Sequence, residues 1–220
     1  SEIPTPMDAS SARRLQLASV ILLSTADGMD PSTRAAAAAE LVTLHLPQSR
    51  EILIDAMSTD RIDVLQAVLE SMLAESDVNE AYGPSLLALV ESAPIEVRPV
   101  LAELLARHGQ IDVRILPALS ILAADQTMTV EQREVAILAI GAFRHAPAIA
   151  ASELMMILQQ PHAADDPITL AAREQLSRLT GMPRSTTAAQ WIAWWKENRN
   201  RPSERWLEDT VDALTKQAAA

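Results

Sequence analysis

Cysteine is absent from this chain of 220 residues, and the sequence holds one Phe, one Tyr and five Gly. The missing thiol excludes disulfides, thiolate zinc sites and a cysteine nucleophile together. Scarce aromatics and glycines argue against a β-sandwich or barrel, whose strands are aromatic and β-branched and whose turns need glycine. Long hydrophobic runs are missing too. The longest, Leu15 to Leu23 and Ala136 to Phe143, fall well short of the roughly 20 residues that cross a bilayer. Cations are outnumbered, 18 Lys and Arg against 29 Asp and Glu, for a net charge of −11. That balance disfavours nucleic acid, because phosphate binding needs clustered Lys and Arg.

Hydrophobic residues are nevertheless 49% of the chain, enough for a sizeable core. The core is built from Ala, Leu, Ile, Val and Met, and Ala and Leu are the best helix formers. The composition therefore points to an all-α protein. Charge is spread unevenly along it. Residues 1–172 hold 10 basic and 23 acidic side chains, net −13, whereas residues 173–205 hold 7 basic and 3 acidic, net +4. An acidic body meets a basic neck.

Apolar residues recur at helical spacing with short punctuated turns between. Residues 1–8, with two prolines, read as a flexible lead-in. Helices are expected from about Ser10 to Ser24 and from Asp30-Pro31 to Leu46, with Asp27-Gly28 between them. Others are expected from Ser49 to Met57, from an Asp60 N-cap through Met72, from Pro84, and from Pro94 to His108-Gly109. Further ones follow over 112–124, from a Thr129–Gln132 capping box to Arg144-His145, over 149–159, and from an Asp166 N-cap to Gly181. The segments at 30–41, 93–105, 129–143 and 166–179 share one design: a polar or proline start, small residues, then a leucine-rich exit; 60–73 is a looser copy. Their starts lie about 30 to 37 residues apart, one helix pair each, the period of an α-solenoid.

With Arg34, Arg98 and Arg133 near the start of the second helices, Ala37 and Ala136 three positions on, and Pro117 within a first helix, residues 9–181 resemble the HEAT-repeat family, notably short bacterial HEAT-like repeats. Val64 and Leu170 replace the Arg in two copies, and armadillo-like repeats fit the same pattern. The resemblance implies a right-handed α-α superhelix of about five helix pairs, whose second helices line a concave face for protein contacts.

Residues 182–220 depart from the repeat. Thr187 and Gln190 form another capping box, and Trp191, Trp194 and Trp195 follow on one helix face; Ser203 starts a last helix with Trp206, Val211 and Leu214. The tryptophans could anchor a partner or plug the open end of the last repeat, and their single stripe favours the plug. This tail looks like the terminal element of some bacterial HEAT-like proteins, several of them exported. With a chain that opens without Met, it leans the expected compartment towards a soluble exported or periplasmic protein with its leader removed, or else a cytoplasmic one.

No metal, cofactor or catalytic set is expected. His45, His108, His145 and His162 are scattered, the first three at helix exits where positive charge suits the dipole, and no His-x-x-x-His pair exists. Asp60 and Asp166 read as N-caps rather than catalytic carboxylates. The reading is a non-enzymatic scaffold that holds another protein or peptide on its concave face, with Asp63, Glu70, Arg98, Arg133, Arg173, Trp191, Trp195 and Arg199 as candidate contact residues. The alternative is a HEAT-like lyase or nucleic-acid-processing enzyme that uses the basic, Trp-rich C-terminal region.

Overall fold

A computed structural model describes residues 8–26, 28–108, 112–143, 145–160 and 166–218, with the side chains of 203, 207, 210, 213, 214 and 216–218 set aside. Asp27, Gly109, Arg144 and His162, used above in placing turns and candidate groups, lie outside the described residues, as does the lead-in up to Met7. Every regular element among the described residues is helical: α1 Ala9–Leu23, α2 Pro31–Thr43, α3 Pro47–Met57, α4 Ile62–Ala74, α5 Gly83–Leu89, α6 Arg98–His108, α7 Ile115–Ala124, α8 Val130–Ala142, α9 Pro147–Leu158, α10 Pro167–Thr180, α11 Ala188–Asn198 and α12 Ser203–Ala218, with a 3-10 turn at Glu80–Tyr82. The all-α expectation holds.

The chain divides into two compact units, residues 1–104 and 105–220, a division that falls inside α6. In the first unit α1 packs on α2, α2 on α3 and α4, α3 on α4, and α5 on α3. Leu22, Leu41, Leu53, Met57, Leu65, Leu69 and Leu86 are fully enclosed there. In the second unit α7 packs on α8 and α9, α8 on α9 and α10, and α9 on α10, while α11 lies against α9 and α12 against α9 and α10. Its interior includes Ile115, Leu119, Ile137, Ile140, Leu154, Leu176 and Trp191. Each such side chain contributes about 1.5–3 kcal/mol by leaving water.

Local chemistry sets the helix ends. Thr129 and Gln132 close a reciprocal capping box on α8, and Thr187 and Gln190 another on α11. The Asp166 carboxylate accepts from the amides of Ile168 and Thr169 ahead of α10, whose end is Gly181 in the left-handed region at φ 72°. Several starts differ from expectation, among them α7, which begins at Ile115 rather than about Asp112. The N-cap of α4 is Arg61 rather than Asp60. Pro94 does not open α6, which begins at Arg98 after a turn through 94–97. The Ala93 carbonyl takes the Arg98 Nε at 3.0 Å. The proline after Leu46 starts α3 at its first position, and α2 already ends at Thr43. His45 follows it with φ 50°, a backbone form that non-glycine residues adopt mainly just past helix ends.

Candidate interaction surface

The last carbonyls of any helix lack an intrahelical partner and carry partial negative charge. Arginines of the second helices meet that need. Arg34 on α2 is buried; its Nη1 donates to the Leu22 carbonyl and, at 3.3 Å, to the Ser24 carbonyl at the end of α1. Arg61 Nη1 reaches the same Ser24 carbonyl at 2.8 Å. Arg133 on α8 is buried, and its Nε donates to the Ala123 carbonyl near the end of α7 at 2.7 Å. Arg173 on α10, half-buried, donates from Nε to the Thr186 carbonyl at 2.9 Å, tying the following loop to its helix.

These inward arginines leave carboxylates on the outer side of the same helices. In the first unit α2 and α4 flank a cleft of about 330 Å³ lined by Pro31, Ser32, Ala35, Asp63, Gln66 and Glu70. Asp63 bridges Arg34 Nε at 3.0 Å and Arg61 Nη2 at 2.8 Å. Partial burial pushes its carboxyl up, but the hydrogen bond from Arg61 and the two guanidinium charges hold it below the ordinary aspartate value. Glu70, two turns along α4 from Asp63, accepts from Gln66 Nε2 at 2.8 Å and is exposed.

The second unit repeats the arrangement with a different floor. A cleft of about 360 Å³ between α8 and α10 is lined by Glu134, Leu138, Pro167, Leu170, Ala171, Glu174, Gln175 and Arg178. Glu174 pairs with Arg178 at 2.7 Å and Arg184 at 3.5 Å. The two helices approach closely because Gly141 has no side chain: a Cβ there would stand 2.4 Å from Gln175 Oε1. A third cleft, of about 500 Å³, lies in the first unit by the end of α3, lined by Met57, Ser58, Thr59, Asp60, Ser85 and Ser92 among others.

The sequence candidates thus separate by position. Asp63 and Glu70 share one cleft on α4. Arg98, Arg133 and Arg173 bind backbone carbonyls. Trp191 is fully buried on α11. Trp195 is half-buried, and Arg199 is exposed. Trp194 stands perpendicular to Trp191 at 5.6 Å and to Trp206 at 5.2 Å, so α12 supplies the fourth ring of the cluster. Such edge-to-face pairs add about 0.5–1.5 kcal/mol beyond burial. Of the basic neck, Arg201 pairs with Asp209 and Arg205 with Glu208. Leu138, Leu170 and Glu134 were not singled out as contact residues. The signal was Leu170 itself, a leucine where other copies carry the inward arginine.

This unit also buries a carboxyl group. Glu153 on α9 is buried; desolvation raises its carboxyl above the usual glutamate value, and a hydrogen bond from Ser120 on α7 only partly offsets this. Among the described residues no group of three metal-ligating side chains converges, and no helix is long and apolar enough to cross a membrane. The sequence matches no protein-family model, and no curated protein is significantly similar to it.

Proposed function

We propose that this chain is a non-enzymatic scaffold, a HEAT-like right-handed solenoid that holds another protein along the face of its second helices. The observation that carries the reading is the paired use of those helices. In each unit, consecutive second helices flank a cleft, and their buried arginines are engaged with backbone carbonyls. Inward arginine and outward carboxylate give one side of each helix a binding character while the other side builds the core. The tryptophan cluster supports the companion reading of 182–220 as a cap on the last pair, since Trp191 and Trp206 are both buried, α11 packs on α9, and α12 packs on α9 and α10.

The test is a pull-down from the source cells with the whole chain, repeated with Glu70→Lys and Leu138→Ser on second helices and with Ile121→Ser and Met156→Ser on first helices. All four positions are exposed, so the fold is retained. A captured protein lost with the first two substitutions and kept with the last two supports the proposal. The reverse pattern refutes it.

A further inference from the structure

We propose that the cleft between α8 and α10 is the seat of a basic amphipathic segment of the partner, its apolar side chains on Leu138 and Leu170 and a cation at Glu134. This rests on the second-helix reading above and names the chemistry of what is held. Leu138 is 49% exposed and Leu170 48%, two leucines from adjacent helices beside Pro167 and Ala171 in one cleft. Scattered surface leucines are ordinary, but two that share a concave site with a polar rim mark a contact surface. At about 360 Å³ the cleft sits near the low end of the range for binding clefts, roughly 300–1,000 Å³, room for a few side chains and not a domain.

Charge chooses the occupant. Glu174 is already met by Arg178 and Arg184. Glu134 lines the cleft and makes no ion pair among the described residues, and the neighbouring Arg133 is buried with its Nε bonded to the Ala123 carbonyl. Arg178, the cation on the same lining, is held by Glu174, so Glu134 is the carboxylate beside the apolar floor that is left to meet a partner's cation. Lysine or arginine one helical turn from leucine-type anchors complements that pattern, the helix-in-groove mode of recognition. The first unit's cleft is lined differently: its apolar residues are Met29, Pro31, Ala35 and Ala67, with no leucine among them, and Asp63 is taken by two arginines.

The probe is a fluorescein-labelled peptide of Leu and Lys with helical period, titrated against the whole chain by anisotropy, beside Leu–Glu and Ser–Lys counterparts. The Leu–Lys peptide should bind, and both counterparts should bind at least about tenfold more weakly. The double change Leu138→Ser with Leu170→Ser should weaken it by about tenfold or more, and separately Glu134→Gln should weaken it by about threefold. Absent binding of the Leu–Lys peptide, equal binding of the Ser–Lys peptide, or unchanged affinity in either variant overturns the inference. If Glu70→Lys weakens binding instead, the cleft assignment fails and the second-helix reading stands. If only Ile121→Ser or Met156→Ser does so, both fail.

Discussion

The Nε of Arg34 on α2 lies 3.0 Å from the Oδ2 of Asp63 on α4, joining a guanidinium side chain that is 4% exposed to a carboxylate that is 53% exposed. The arginine also serves the carbonyls of Leu22 and Ser24, so one side chain links three helices. Arg34→Ala strands the buried Leu22 carbonyl, while the Ser24 carbonyl keeps Arg61, and should cost about 1–3 kcal/mol, read as a lower denaturation midpoint. Asp63→Asn loses an ion pair that water screens and should cost about 1 kcal/mol or less.

The same pair gives an acid-side signature. The folded-state value of Asp63 is depressed, so its contribution is complete above the unfolded value of about 3.9 and is lost as pH falls through the folded value. Asp63→Asn should remove that part of the stability loss below about pH 4, measured by urea denaturation across pH.

Glu153 works in the opposite direction. Its folded-state value is raised by burial, so the protonated form suits the fold. Stability tied to it is present below about pH 4.3 and declines as pH rises through the folded value. Glu153→Gln should raise the melting temperature at pH 7 and give no gain at pH 3.5. An equal shift at both would show that the effect is not one of ionisation.

Gly141→Ala places a methyl group 2.4 Å from Gln175 Oε1 and 2.6 Å from its Cβ and Cγ. Overpacking of this kind costs about 1–3 kcal/mol. Gln175→Ala removes two of those three atoms, so the double variant should recover part of the loss. A double-mutant cycle with no coupling energy would contradict the close approach of α8 and α10.

Trp191→Ala should cost about 3–5 kcal/mol, with loss of the near-ultraviolet signal from the coupled rings. Trp195→Ala, at a half-buried ring 5.9 Å from Trp206, should cost markedly less. Equal losses would place both rings alike in the core.

Much of the helical skeleton could be read from residues, because caps are local chemistry. Thr129–Gln132, Thr187–Gln190, Asp166-Pro167 and Gly181 each mark a boundary through a hydrogen bond spanning two to four positions. Asp60 and Pro94 misled because several polar or proline residues near a start compete, and the packing of the helix decides among them. The direction of a charged side chain is set by tertiary structure. Arg133 and Glu134 are neighbours in sequence, yet the first turns in to a carbonyl while the second lines a cleft. For that reason the arginines stood among candidate contacts, and the leucines beside Glu134 did not. Trp206 joins the cluster from another helix, a closeness that spacing along α11 cannot encode.

The most direct test places a photo-crosslinking amino acid, one position at a time, at Gln66 and Leu138 on second helices and at Ile121 and Met156 on first helices, in the whole chain within its source cells. The account expects one adduct of the same mass from Gln66 or Leu138 and none from Ile121 or Met156. An adduct formed only from Ile121 or Met156 would contradict it.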